Sequence, residues 1–573
     1  MADKILNSFD VWIGAQGWKS KLRLKSVDNI SLEGIARLRE LILELAVRGR
    51  LEPQEPSAEP ASALLKKIST EREQLVKQGK IKTQKSLTDV SNDEKLYKIP
   101  LGWEYCRLGT LVNSITSGGT PSKSNPEYWN GDIPWASVKD LGKSKYLEAT
   151  QDYITQAGLD NGSKLADKDD IIICTRMGLG KIAIAKTKVA INQDLKAVRL
   201  TSFLNVDFFL IFFATINIEG TGTTVEGIRQ EELLNYVVTL PPLKEQHRIV
   251  AKVDELMALC DELEQQETNH LKSHQLLVET LLGTLTQAKD AAEFQTAWAT
   301  LAQHFDDLFI TEDSIDQLKQ TILQLAVMGK LVKQDPKDEP ASVLLERIRE
   351  ESPKEQAEKG KTLPQITSDD LPFILPESWK WVRLGNIINV KSSKRIFVSD
   401  YVDDGVPFYR SKEIGQLGRG ENVTTQLFIS NLKYEKLKKN FGVPKEGDIL
   451  IACIGGSIGN TWLVDSSKFY YKDGNLVQLD SIPQVSSVYL LNYLNSRFFY
   501  QTSLGIVSGS AYDALTIEKI KKSLFPLPPF LEQQRIVARI DELFALCDSL
   551  KDRITESQKV ANLMADSILE QVG

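Results

Sequence analysis

Cysteine is sparse and unpaired in this chain. Cys106, Cys174, Cys260, Cys453 and Cys547 are scattered, and none stands in a C-x-x-C pair. Neither a disulfide framework nor a zinc site is suggested, and a reducing cytoplasm fits such usage. No apolar run approaches the ~20 residues that cross a bilayer, so no membrane partner is expected. The opening MADKILNSFDVWIGAQGWKSK shows no basic stretch followed by an apolar core, so no secretory signal is expected. Histidine is rarer still, with only His247, His270, His274 and His304. His270 and His274 lie four apart but lack the glutamate of an H-E-x-x-H site, and no metal is expected. A G-x-x-x-x-G-K-[ST] phosphate loop is absent, which argues against a nucleoside triphosphatase. Gly178–Lys181 and Gly455–Gly459 follow apolar runs, yet neither completes a dinucleotide-binding fingerprint.

The net charge of −7 would by itself argue against nucleic acid, but it is unevenly spread. Residues 96–240 hold 15 Lys and Arg against 16 Asp and Glu, and residues 372–527 hold 19 against 14. Those balances of −1 and +5 leave −11 for the remainder, so the acidity sits elsewhere. Local field over a contact surface governs binding to a polyanion, and this distribution permits it.

What the chain does contain is a repeat of about half its length. PPLKEQHRIVAKVDELMALCDEL (241–263) returns as PPFLEQQRIVARIDELFALCDSL (528–550), with 16 of 23 positions identical. LRELILELAVRGRL (38–51) matches LKQTILQLAVMGKL (318–331), and EPASALLKKI (59–68) matches EPASVLLERI (339–348). Gly49 and Gly329 suit left-handed caps ending the first helix of each half. Pro60 and Pro340 suit the opening of the next helix. A double proline fixes φ at the start of the repeated helix. Its apolar positions Ile249, Val253, Leu256, Cys260 and Leu263 step by 4, 3, 4, 3, as do Ile536, Ile540, Leu543, Cys547 and Leu550. That seam predicts pairing along a partner helix, each copy with the other, with both cysteines buried in it. The first copy is expected to run to about residue 286. Glu245, Gln246 and Arg248 recur as Glu532, Gln533 and Arg535, and this matched polar side is expected to form equivalent docking surfaces for two copies of one partner.

Between the helices lie regions of another kind, with turns, aromatics and short β-type runs. IIIC (171–174), IAIA (182–185) and AVRL (197–200) correspond to ILIACI (449–454), TWLV (461–464) and LVQL (476–479). Helical runs at 206–216 and 488–496 complete an α+β pattern. The expected division is a helical segment 1–98, a mixed domain 99–240, a helical spacer 241–371, a mixed domain 372–527 and a distal helix 528–573.

Two divergent domains alternating with two near-identical helical segments, together with SGGTPSKSNPEYWNGDIPWASVKDL (117–141), resemble the specificity subunit of Type I restriction–modification systems over nearly the full length. The resemblance implies two mixed α/β target-recognition domains in tandem pseudo-repeat, separated and joined by long helices packing as an antiparallel coiled coil. It implies double-stranded DNA as ligand, each domain reading one half of a bipartite asymmetric site. It also implies docking of two modification (methyltransferase) subunits, and restriction subunits that supply translocation and cleavage. S-adenosylmethionine, ATP and Mg are then expected on those partners, none on this chain, which would have no catalytic residues of its own in a prokaryotic cytoplasm. The absent N/D-P-P-Y/F catalytic loop agrees: the prolines here read L-P-P-L and L-P-P-F. A DNA-binding scaffold outside a restriction system and a single-chain restriction–modification enzyme are the other readings.

Candidate DNA contacts are turns that combine glycine, hydroxyls and basic residues. In the first domain these are Ser117, Gly118, Gly119, Thr120, Ser122, Lys139, Arg176, Lys181, Thr223 and Thr224. In the second they are Lys391, Ser393, Lys394, Arg395, Arg410, Lys412, Ser457, Ser510 and Tyr512. Arg176, Arg395 and Arg410 lead the set. Trp103, Trp129, Trp135, Trp379 and Trp381 flank strand-like runs and are expected in the core.

Overall fold

A computed structural model describes residues 32–55, 59–83, 87–216, 218, 227–351, 363–504 and 514–572. The chain divides into two compact units, residues 1–271 with 557–573, and residues 272–556. No helix among the described residues is long and apolar enough to cross a membrane.

The first unit opens with α1 (Leu32–Val47) and α2 (Ala61–Lys77). Strands β1 (Glu104–Arg107), β2 (Val112–Ser117), β3 (Trp129–Ala136), β4 (Tyr146–Leu147) and β5 (Asp152–Ile154) lead to helix α3 (Gln156–Gly162). Then come β6 (Lys164–Ala166), β7 (Ile171–Cys174), β8 (Ile182–Ala185), β9 (Val189–Ile191) and β10 (Leu195–Leu200). Helices α4 (Val206–Thr215) and α5 (Gln230–Leu234), strand β11 (Val237–Leu240) and the long α6 (Leu243–Gln287) follow. The sheets are ordered β2-β10-β7-β8-β4 and β5-β3-β9-β6. β1 pairs antiparallel with β11, Glu104 opposite Leu240, so the chain leaves the mixed domain beside the point where it came in.

That ribbon dictates what covers the seam. It sets α1 against α6 running the opposite way, with Arg39 bridging Asp261 at 2.8 Å and Arg248 bridging Glu52 at 3.1 Å. Ile35, Leu38, Ile42 and Leu45 of α1 share one core with Phe208, Phe209 and Phe212 of α4 and with Ile249, Val253, Leu256 and Cys260. Leu263 packs at its margin.

The second unit repeats the plan. α7 (Ala291–Gln303), α8 (Phe305–Leu308), α9 (Glu312–Val327) and α10 (Ala341–Glu351) precede β12 (Lys380–Arg383), β13 (Val390–Lys391), β14 (Tyr401–Val402) and β15 (Val406–Tyr409). α11 (Ser411–Gly418), β16 (Phe428–Ile429), α12 (Asn431–Phe441), β17 (Ile449–Ala452), β18 (Thr461–Leu463), β19 (Tyr470–Tyr471) and β20 (Leu476–Leu479) complete its sheets. α13 (Ser487–Leu494), α14 (Arg497–Leu504), α15 (Ile517–Lys522), β21 (Leu524–Leu527) and α16 (Phe530–Val572) end the chain. β12 pairs antiparallel with β21, Lys380 opposite Leu527, and α9 takes the part of α1. Its Ile315, Leu318, Ile322 and Leu325 share a core with Ile536, Ile540 and Cys547, while Leu543 and Leu550 pack at the edge. Lys319 pairs with Asp548, and Lys551 with Asp316 at 2.6 Å.

Strands 171–174, 182–185 and 476–479 stand where the sequence puts them, and α6 ends one residue past the expected 286. The two mixed domains alternate with the long helices as expected, and each seam shares its core with the opening helix of its own half. The ribbon explains this, because it makes that helix the nearest apolar surface.

The matched polar residues are placed otherwise than a docking surface requires. Glu245, Gln246, Glu532 and Gln533 are buried. Gln246 accepts from the Asn205 amide at 2.8 Å and donates to the Pro241 carbonyl at 3.0 Å. Gln533 accepts from the Ser486 amide at 2.8 Å and donates to the Pro528 carbonyl at 3.1 Å. Asn205 and Ser486 are the N-caps of α4 and α13, so each glutamine fastens the long helix to its mixed domain. Arg248 donates to the Pro53 carbonyl at 3.0 Å, and Arg535 pairs with Asp338, fixing the loop behind the opening helix. Apolar periodicity exposes a polar stripe only where nothing covers the helix, and here the domain covers it.

Glu245 accepts from the Trp103 indole at 3.0 Å, and Glu532 lies beside Trp379. Burial pushes both carboxyls above their ordinary value of 4.5, against the indole contacts and the nearby arginines that hold them down. A raised carboxyl binds its proton more tightly folded than unfolded, so folding takes up protons and stability falls as pH rises from 4.5 through the raised values. The double variant Glu245→Gln, Glu532→Gln is expected to lose that slope and to gain on the native chain as pH rises. Thermal midpoints measured across this range check it, and parallel curves for the two proteins would refute it.

Candidate nucleic-acid interface

Strand register gathers the candidate turns at one edge of the first mixed domain. Ser117 lies opposite Lys196, Leu195 opposite Cys174, and Ile173 opposite Ile182, so the loops after β2 and β7 and before β10 and β8 leave from the same side. β3 and β9 run parallel, with Ala136 beside Ile191, and deliver the loops after them to that side as well. Backbone bonds tie the loops together: Gly118 N to Leu195 O at 3.1 Å, Gly119 N to Ile191 O at 2.9 Å, Asn192 N to Ala136 O at 3.0 Å and Thr175 N to Asp194 O at 2.9 Å.

This rim brings together Ser117, Thr120, Lys139, Arg176 and Lys181. Lys139 and Lys181 are exposed. Thr120 donates to Gln193, and Lys196 donates to Ser117 at 2.8 Å. Gly118 and Gly119 have a different part from the one the sequence suggests. Their amides bond inside the domain, and a Cβ on either would stand 2.0 Å or 2.3 Å from a backbone oxygen. These glycines allow two chain segments to touch, which takes their N–H groups out of the set that can meet phosphate. Ser122 makes a local contact with Ser124 at 2.8 Å. Thr223 and Thr224 lie outside the described residues.

The second domain builds the same edge from different side chains. Lys391 lies opposite Gln478, Leu476 opposite Ala452, Ile451 opposite Thr461, and Tyr409 beside Tyr471. Cys453 N donates to Asn475 O at 2.8 Å and Lys472 N to Tyr409 O at 2.9 Å. Arg395, Arg410, Lys412 and Ser457 stand on this rim, the first three exposed. Lys394 reaches over the Phe441 ring at 5.3 Å. Two candidates are held within the domain: Lys391 bonds Asp480 at 2.9 Å, and Ser393 donates to the Tyr471 carbonyl at 2.8 Å. Ser510 and Tyr512 lie outside the described residues. Trp103, Trp135 and Trp379 are buried, as expected of core aromatics, whereas Trp129 and Trp381 are half-buried and pack at the core margins.

Sequence reading missed the acidic members of the rim. The loop 137–140 and the loop 410–413 are equivalents, WASVKD against FYRSKE: Asp140 accepts from the Ser137 amide at 2.8 Å, and Glu413 from the Arg410 amide at 2.8 Å. Lys139 and Lys412 therefore hold the same place, whereas Ser137 and Arg410 differ. Burial alone would raise the Glu413 carboxyl, but bonds from Arg410 hold it below the usual carboxylate range. Arg176 stands 3.8 Å from Asp194, and Arg395 stands 3.2 Å from Asp473. Aligning INQDLKAV with KDGNLVQL, in the register of the strands, places an acidic residue in each loop, Asp194 at the position of Asn475 and Asp473 at that of Asn192. Gln193, exposed at the tip of its loop, was also overlooked.

Residues 100–273 and 376–557 match the family model described as Type I restriction modification DNA specificity domain. The chain is 35% identical to the Type I restriction enzyme EcoAI specificity subunit of Escherichia coli, across 99% of this chain and 98% of that one. It is 34% identical to the EcoEI specificity subunit of the same organism, with the same shares covered. A solved chain of a type I R-M system aligns at a TM-score of 0.46 and 20% identity, covering 83% of this chain and 98% of that chain. The chain belongs to the Type I restriction modification DNA specificity family.

Proposed function

We propose that this chain is the DNA-sequence-recognition and assembly subunit of a Type I restriction–modification complex. Each rim reads one half of a bipartite asymmetric site in double-stranded DNA, and α6 and α16 set the spacing between the readers. The observation that carries the reading is the rim itself, built twice on one scaffold from unlike side chains. A repeated frame with changed contact residues is what recognition of two different half-sites needs. Lys139, Lys181 and Lys412 suit phosphates, and the arginines suit base edges. Two modification subunits dock on the helical parts and carry S-adenosylmethionine, and restriction subunits carry ATP and Mg. This chain contributes recognition without catalysis, in the cytoplasm of a prokaryote.

The test is expression with and without the candidate methyltransferase partner, followed by assays of DNA methylation and sequence-specific binding. Site-specific methylation is expected only with the partner, and methylation by this chain alone would overturn the reading. Exchange of residues 99–240 for those of a relative is expected to change one half-site and spare the other. Loss of both preferences would refute two independent readers.

A further inference from the structure

In each domain one exposed rim arginine stands with its Nε beside a carboxylate, Arg176 from the loop after β7 and Arg395 from the loop after β13. The Arg176 Nε stands 3.8 Å from Asp194 Oδ1, and the Arg395 Nε stands 3.2 Å from Asp473 Oδ2. Asp194 and Asp473 occupy the same loop of the repeated frame, before β10 and before β20. Asp194 is itself fixed while its arginine reaches outward. Asp194 is buried, its Oδ2 accepts from the Asn192 side chain at 3.1 Å, and its amide donates back to Asn192 at 3.1 Å. The arginine side chains are 49% and 69% exposed.

A guanidinium carries five N–H donors in one plane. A carboxylate on Nε restrains that plane and leaves the far edge, where Nη1 and Nη2 each point one N–H forward in parallel. Two parallel donors match two adjacent acceptors. Guanine offers O6 and N7 in the major groove, whereas adenine offers an acceptor beside a donor. Phosphate also has paired acceptors and can take the same fork, so base-edge and phosphate contacts are told apart by sequence dependence and salt slope. As ion pairs of exposed arginines these contacts are worth only about 0–1 kcal/mol to stability. Holding the fold together therefore does not account for an arginine set beside a carboxylate on each rim.

We propose that Asp194 and Asp473 are positioning residues for specificity, each orienting its arginine, Arg176 or Arg395, to read one guanine in its half-site. The assignment rests on the DNA-reading function above and adds which base class each rim arginine meets and what aims it.

The test uses the full chain with its modification subunits, and reads the target from the pattern of methylated sites in plasmid DNA. Asp194→Asn and Arg176→Lys are expected to relax the same single base pair of one half-site. Asp473→Asn and Arg395→Lys should relax a single base pair of the other. Preference for guanine there should fall about tenfold, the order expected when one bidentate base contact is impaired. The untouched half-site is the internal control for folding, and the lysine variants cover the case in which an asparagine variant fails to fold. Replacing that guanine by 7-deazaguanine, which removes N7, should weaken native binding about tenfold and leave the matching lysine variant within about twofold. Uniform weakening on all sequences, with the salt slope reduced by about one, would make these phosphate contacts and overturn the proposal. Unchanged preferences at every position would overturn it equally. If the native complex neither bound nor methylated any sequence preferentially, the DNA-reading function itself would fall first.

Discussion

Gly49→Ala and Gly329→Ala are each expected to destabilise their unit by about 2–5 kcal/mol. Gly49 has φ 66° and Gly329 φ 71°, and each closes its helix with a pair of reversed bonds. Gly49 N donates to Ala46 O and Arg50 N to Leu45 O; Gly329 N donates to Ala326 O and Lys330 N to Leu325 O. An L side chain in that left-handed conformation costs about 1–2 kcal/mol. The larger share is steric. A Cβ at Gly49 would stand 2.5 Å from Pro100 Cγ and 2.9 Å from the Trp103 ring, and one at Gly329 would stand 2.6 Å from Pro376 Cγ. Overpacking of that kind costs about 1–3 kcal/mol more. Gly79→Ala separates the two causes, since Gly79 has φ 67° with nothing within 4 Å of its Cβ position. Thermal unfolding of the three variants should rank Gly79→Ala as the mildest by a clear margin. Equal shifts for all three would show that the proline contacts carry no weight.

The same glycines mark where sequence reading stops. A Gly after an apolar helix, repeated at a fixed offset, was legible as a left-handed cap because the cause is local. Its packing on Pro100 or Pro376 was not, because those partners lie roughly fifty residues away and meet it only once the domain has folded. The seam divides likewise. Its 4-3-4-3 spacing correctly announced buried positions at Ile249, Val253, Leu256 and Cys260. Spacing carries no address, however, and the β1–β11 ribbon supplied one by laying α1 alongside. On the rim, basic residues and glycines drew notice by type, whereas Asp194, Asp473 and Glu413 act through their positions beside arginines. Strand register, which no single loop encodes, brings them together.

Gln246→Ala and Gln533→Ala are expected to lower the stability of their units by about 2–4 kcal/mol each, more than most polar substitutions. Both side chains are fully buried, and each satisfies a backbone donor and a backbone acceptor at once. Truncation leaves the Asn205 or Ser486 amide and the Pro241 or Pro528 carbonyl without that partner, and an unmet buried backbone group costs about 1–3 kcal/mol. The loss should loosen one particular junction, where α6 meets the N-cap of α4 or α16 meets that of α13. Hydrogen exchange is the direct measurement: the Asn205 amide should lose protection in Gln246→Ala, and the Ser486 amide in Gln533→Ala, while amides in β7 or β17 keep theirs. A surface role for the glutamines predicts the reverse pattern, with stability and amide protection unchanged and partner binding lost. Because the bonds already made use both ends of each side chain, the junction account is the one the geometry requires. A reader domain can hold its rim at a set angle to the spacer helix only if such a joint is stiff.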